Sequence, residues 1–225
     1  ICIIIIKTKK MIKVDLVQGS LEWLEHRYCK IGGTLSKGLL TKGNTLKIEL
    51  LSQMLEDYEP DEGFTSKDME RGNELEPYAR KELNKYTGLN FKEAGWLQSS
   101  ECSLLGISPD GITDDDKNSC ELKCPARKKH TETILTGEIP SDNLHQCIHY
   151  FTVNPKLENH YFGSFRPENK IKPLFVKKMT RQTEINIGTK ARPVLKTIQE
   201  VVDMSLKAAI ELKAELLTDL EKIKF

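Results

Sequence analysis

Asp114-Asp115-Asp116-Lys117-Asn118 is a strong turn signal set between two runs of strand-forming residues, Leu104–Ile112 and Cys120–Cys124. That arrangement commits the middle of the chain to a β-hairpin. Side chains alternate faces along a strand. Glu121 and Lys123 therefore share one face, and Cys120, Leu122 and Cys124 share the other. A hairpin centred between Asp115 and Asp116 sets Asp110 directly opposite Glu121. Two carboxylates and one ammonium then meet in one patch. Unpaired carboxylates about 4 Å apart repel by roughly 4 kcal/mol at an effective dielectric of about 20. A divalent cation offsets that repulsion, and Mg²⁺, with Mn²⁺ as the alternative, suits carboxylates together with phosphate oxygens. Such an ion lowers the pKa of bound water and stabilises charge on a phosphate, while Lys123 orients or deprotonates the water or neutralises the developing charge. The plainer alternative is a surface hairpin with ordinary salt bridges, since a bare D-x(n)-E-x-K match is common by chance. Pro109 and Gly111 flanking Asp110, and the apolar alternation, favour a site.

The rest of the chain reads as an α/β protein. Ser20 caps a helix to Arg27, and Ile31-Gly32-Gly33-Thr34 breaks it and offers free backbone N–H groups. Thr45–Leu55 carries an apolar stripe at helical spacing. Glu56–Gly63 is an acidic loop, and Ser66 opens a helix that runs to Thr87 and stops at Gly88. Further strands are expected over Phe91–Gln98, Leu104–Ile112, Cys120–Cys124, Tyr161–Phe165 and Leu174–Lys178, with a short helix over Asp142–Phe151. Thr197–Lys224 is a long amphipathic helix.

At 225 residues the chain suits one domain. Lys and Arg number 34 against 33 Asp and Glu, so any grip on nucleic acid comes from local clustering, not overall charge. Six thinly spread cysteines point to reduced thiols and an intracellular setting, cytoplasmic, or nuclear in a eukaryotic host. The opening Ile1-Cys2-Ile3-Ile4-Ile5-Ile6 is too short to span a bilayer, and no membrane partner is expected. Met11 reads as a natural start, which makes residues 1–10 an upstream extension or a first strand and residues 11–225 the domain.

Ser108-Pro109-Asp110-Gly111 followed by Glu121-Leu122-Lys123-Cys124-Pro125 resembles the PD-(D/E)XK nuclease core, and more narrowly the YqaJ-like viral recombinase family that includes phage lambda exonuclease. Three more segments agree in order: Gln18–Arg27 with the family's Q-x-S-x-E-W-x-x-x-R helix, Gly72–Arg80 with its G-x-x-x-E-x-x-A-R helix, and His145-Gln146 with a glutamine after the core. The resemblance covers roughly residues 18–165. It implies a restriction-endonuclease-like α/β fold, a mixed central sheet flanked by helices. It implies a Mg²⁺-dependent 5′→3′ exonuclease on double-stranded DNA ends that leaves a 3′ overhang for recombination and repair. Asp110, Glu121 and Glu76 match the metal-site acids, the Leu122 carbonyl a further ligand, Lys123 the catalytic lysine, and Gln146 a glutamine that positions the water or the lysine. Arg27, Thr34 and Ser108 match the positions that hold the DNA 5′-phosphate. A further phosphate-binding arginine has no clean counterpart, and Arg127, Lys128 and Lys129 are the nearby substitutes. The resemblance also implies a ring-shaped homotrimer and a single-strand annealing protein as partner.

Competing readings stay in view. Glu76 and Arg80 form an ordinary i,i+4 ion pair on a helix surface. Arg127-Lys128-Lys129-His130 is most simply a solvated basic run. Cys120 and Cys124 with His145, Cys147 and His149 could suggest zinc, but the spacing is not that of common structural sites. The nuclease core also serves structure-specific or restriction-type endonucleases, and an inactive version would be a DNA-end-binding module.

Overall fold

The computed structural model describes residues 11–41, 43–60, 67–189 and 191–224, with the backbone alone at 67 and 68. The expectation for residues 1–10 and the helix start at Ser66 lie outside the described residues.

Nine strands and six α-helices follow in the order β1 (Ile12–Val14), α1 (Leu21–Arg27), α2 (Thr45–Leu55), α3 (Lys67–Thr87), β2 (Trp96–Gln98), β3 (Gly106–Ile107), β4 (Gly111–Ile112), β5 (Asn118–Lys123), α4 (Arg127–Thr136), α5 (Ser141–Val153), β6 (Asn159–Phe165), β7 (Leu174–Thr180), β8 (Glu184–Asn186), β9 (Leu195–Thr197) and α6 (Ile198–Ile223) among the described residues. A single 3₁₀ turn, Ser36–Leu40, precedes α2. Local chemistry sets several ends. The Ser20 hydroxyl accepts from the Trp23 N–H at the start of α1, and Thr197 and Glu200 form a capping box on α6. Gly88 and Gly137 take left-handed backbone after α3 and α4.

A four-stranded mixed sheet, ordered β4-β5-β6-β7, carries the hairpin. Its register pairs Gly111 with Cys120 and Ile112 with Ser119, the centring expected from the turn. β5 and β6 run parallel. Parallel neighbours need a crossover connection, and here α4 and α5 supply it. A three-stranded antiparallel sheet, β1-β2-β3, and the β8–β9 hairpin complete the strands.

Alternation along β5 sorts the layers. Cys120 and Leu122 pack with Ala79 and Leu83 of α3 in a small cluster. The larger cluster joins α5 (Tyr150, Phe151) to α6 (Val201, Ala209). The α3 and α5 layers thus cover opposite faces of the sheet.

Three sequence expectations are corrected. Leu104–Ile112 is not one strand: it divides into β3 and β4, in different sheets, because Ser108-Pro109-Asp110 interrupts the ladder and proline has no N–H to donate. Phe91–Gln98 contributes only β2, plus an isolated bridge from Lys92 to Ile112. The basic run Arg127–His130 is the first turn of α4, with His130 fully buried against Ser164 and the Lys172 carbonyl. Among the described residues no helix is long and apolar enough to cross a membrane.

His149 clamps the two sheets' surroundings together. Its Nε2–H donates to the carbonyls of Ile31 and Gly106, both at 3.0 Å, which fixes the tautomer because a carbonyl only accepts. Burial pulls the His149 pKa down to about 4 and that of His160 to about 3. Both rings are neutral in the fold, whereas the unfolded chain protonates them below about 6.5. Their contribution is therefore complete above pH of about 6.5 and lost as pH falls toward about 4. Thermal unfolding followed from pH 8 to pH 4 is expected to show a melting temperature that falls through that window. A His149→Gln variant is expected to flatten the fall.

Candidate active site

The site is built where β4 stops and β5 continues. Extending the register by one residue sets Asp110 opposite Glu121, and by two sets Pro109 opposite Leu122. Pro109 leaves the ladder there, and its carbonyl instead accepts from the Gln18 side chain at 3.1 Å. Asp110 takes the vacated position, its Oδ2 accepting the Leu122 N–H at 2.6 Å. A strand residue presents N–H and C=O to the same edge. The Leu122 carbonyl therefore faces the Asp110 side.

Glu121 is fully buried on the α5 face of the sheet, opposite to the face that carries Leu122. Its Oε2 accepts from the Tyr150 hydroxyl at 2.7 Å. Its Oε1 forms an ion pair with the Lys123 ammonium. Burial, then the nearby Glu121 and Asp110 charges, push the Tyr150 pKa well up, so the phenol is the donor. Burial and then the Glu121 charge likewise raise Asp110 well above the usual carboxylate range. Burial acts to lower the Lys123 pKa, yet the Glu121 and Asp110 carboxylates outweigh it and hold the ammonium above its ordinary value.

Glu76 comes from α3. It pairs with Arg80, as the i,i+4 spacing anticipates, and it also lines a pocket of about 450 Å³ with Asp110, Leu122 and Lys123. The surface ion pair and the site position are thus the same residue in two roles. Arg80 does more than pair: its Nε donates to the Asp110 carbonyl at 2.5 Å and its Nη2 reaches Glu93 at 3.4 Å. Of the three basic residues after the E-x-K strand, Lys129 lines this pocket.

A second hollow, of about 270 Å³, is lined by Arg27, Gly32 and Thr34. The Arg27 guanidinium stacks on Trp23, 3.9 Å from the ring centroid. The Trp23 indole N–H donates to the Ser108 hydroxyl at 2.7 Å. Ser108 thereby keeps its own O–H free to donate. Gln146 packs against the turn at Gly33. It sits on α5 one turn before Tyr150, and a Cβ on Gly33 would lie 2.7 Å from its Cγ. Ser36 Oγ donates to the carbonyls of Gly33 and His145 and ties that turn to α5.

The structure brings Asp110, Leu122, Lys123 and Glu76 to one pocket, with Glu121 buried behind Lys123; Arg27 and Thr34 line a separate hollow, Ser108 is bonded to Trp23, and Gln146 packs on Gly33. Of the residues weighed for zinc, Cys120 packs with α3 while His149 Nε2 is committed to two carbonyls. His149 is a core clamp. Residues missed in the sequence are Tyr150, Arg80 as a brace for Asp110, and Gln18 as the anchor of Pro109. The i,i+4 spacing of Gln146 and Tyr150 was the available signal.

A divalent ion fits these donors. Glu121 Oε1 is a buried carboxylate oxygen turned to the Lys123 ammonium, which lines the pocket, Asp110 is a second hard oxygen donor, and the Leu122 carbonyl faces the same edge. Two acids and a peptide oxygen match the preference of Mg²⁺ for few carboxylates plus substrate oxygens.

The sequence profile of the YqaJ-like viral recombinase domain matches residues 22–156. No curated protein matches by sequence. Among solved structures, the alkaline exonuclease LHK-Exo from Laribacter hongkongensis superposes with a TM-score of 0.70 at 24% identity, covering 91% of this chain and 98% of that one. LHK-Exo in complex with dAMP gives a TM-score of 0.71 at 25% identity over the same shares, 91% and 98%. A phage-related exonuclease from Haemophilus somnus 129PT shares the fold at 13% identity and a TM-score of 0.53, covering 85% of this chain and 96% of its own.

Arg80 offers a direct test of the frame. Removing it frees the Asp110 carbonyl and leaves Glu76 and Glu93 without their cation. Arg80→Ala is expected to lose about 2 kcal/mol in urea denaturation, the scale of hydrogen bonds to a charged group, and Arg80→Lys most of that.

Proposed function

Because this chain belongs to the YqaJ-like viral recombinase domain family, we propose that it is a divalent-metal-dependent exonuclease that hydrolyses one strand of duplex DNA from its 5′ end. The carrying observation is one pocket lined by Asp110, Glu76, Leu122 and Lys123, with Lys123 paired to the buried Glu121. Asp110, Glu121 and the Leu122 carbonyl would hold the ion, with Glu76 completing the acidic wall. The bound ion would supply charge for the phosphate and a more acidic water.

The chain's own residues do the rest. Lys123, paired with Glu121 at the pocket wall, offers a cation and N–H donors to a phosphate oxygen. Gln146 extends from α5 against the Gly33 turn, and by family membership its amide would orient a water or the lysine. Asp110 is held at both ends, by Arg80 on its carbonyl and by the Leu122 N–H on its carboxylate. That rigidity favours a fixed attack geometry.

Polarity rests on the second hollow. Arg27 presents a planar donor fork stacked on Trp23, and Ser108 and Thr34 add hydroxyls. These are the donors a terminal phosphate needs. A 5′-phosphate seated there would put the next phosphodiester at the acidic pocket and leave a 3′ overhang. Lys129 is the substitute for the missing arginine. A ring of three copies and a single-strand annealing partner belong to the same proposal and rest on family membership alone.

Digestion of linear and closed-circular duplex, with Mg²⁺ or with EDTA, is the test. The expected result is mononucleotide release from linear DNA only, faster from 5′-phosphorylated ends, and none with EDTA. Cutting of the circle would favour an endonuclease. Binding without hydrolysis would favour an end-binding module. Lys123→Ala is expected to keep end binding while lowering turnover by at least about a hundredfold.

A further inference from the structure

Tyr150 lies in the hydrophobic core, 1% exposed, yet its hydroxyl is spent on a single polar partner, Glu121 Oε2 at 2.7 Å. The ring is fixed from behind by His160, whose ring centroid is 4.3 Å away. His160 is itself fixed through Nδ1 by Ser119 Oγ at 2.9 Å. Three buried residues on β5, α5 and β6 thus determine where one carboxylate oxygen sits. The other oxygen, Oε1, is turned to the ammonium of Lys123, which lines the pocket. A carboxylate gripped at one oxygen cannot rotate without abandoning that bond in a dry interior, where an unmade bond is costly.

We infer that Tyr150 is a positioning residue of the metal site: its hydroxyl holds Glu121 Oε2 inward and so presents Oε1 as the ligand oxygen. This rests on the nuclease reading above, because it is that reading which gives Glu121 an ion to hold. Partners behind a first ligand commonly change metal affinity by about 10- to 100-fold.

The test is Mn²⁺ binding to the intact protein by titration calorimetry, without DNA. Four proteins are compared: the unaltered chain, Tyr150→Phe, Phe151→Leu and Glu121→Gln. Phe151→Leu perturbs the neighbouring core position but leaves the hydroxyl in place. The expected result is Mn²⁺ affinity lowered about tenfold or more in Tyr150→Phe, unchanged in Phe151→Leu and abolished in Glu121→Gln. In nuclease assays Tyr150→Phe is expected to need more metal for half-maximal rate and to recover most of its turnover at saturation.

Unaltered affinity in Tyr150→Phe would overturn the inference and leave the nuclease reading standing. An equal loss in Phe151→Leu would overturn it too, by assigning the effect to packing. No binding by the unaltered chain would overturn both readings. The unaltered protein supplies a second measure that does not depend on a variant folding. The buried Tyr150 hydroxyl proton exchanges slowly and is expected to shift in the proton spectrum as Mg²⁺ saturates. An unmoved signal would contradict the inference.

Discussion

A carboxylate with no solvent access costs several kcal/mol unless other groups take over from water. Glu121 meets that cost with one phenol on Oε2 and one ammonium on Oε1. Much of the surrounding architecture follows from this single burial. The parallel β5–β6 pair requires a crossover, and the crossover lays α5 over the strand, bringing Tyr150 and Gln146 with it. Lys123 is two residues further along the same face, so one strand supplies both the acid and its counter-charge. Replacing this arrangement by apolar residues would make a better core. Its presence marks a place where stability yields to chemistry.

The second constraint is the broken ladder at Ser108-Pro109-Asp110. A continuous strand would spend the Leu122 N–H on a backbone partner. Proline breaks the pairing, Gln18 secures the proline carbonyl, and the Asp110 side chain occupies the gap. Arg80 then pins the Asp110 backbone from α3. The acidic centre is therefore rigid because three distant segments converge on one turn, and the Trp23–Ser108 bond extends the same turn to the Arg27 hollow.

The hairpin and its register were legible in the sequence, because turn chemistry and period-two alternation are local. So were α1, α2 and α6, whose caps and stripes are written within a few residues. The division of 104–112 between two sheets was not, since apolar periodicity is the same whichever sheet receives the strand. The whole of α4 was missed, because its opening charge run hides the buried His130. Asp110, Glu121 and Lys123 were readable as a site from register alone, whereas Glu76, Gln146 and Arg27 came from ordered motifs. Tyr150 had no reading of its own. An aromatic on a helical face is ordinarily core, and only the parallel crossover shows that its hydroxyl ends on a buried acid.

The account stands on Asp110, Glu121 and the Leu122 carbonyl forming one oxygen-lined place for a cation. Anomalous diffraction from crystals soaked in Mn²⁺ examines that place directly. The expected result is an anomalous peak among those three groups, lost in crystals of Asp110→Asn. A peak at any other position, or none at a concentration that supports DNA hydrolysis, would contradict the account.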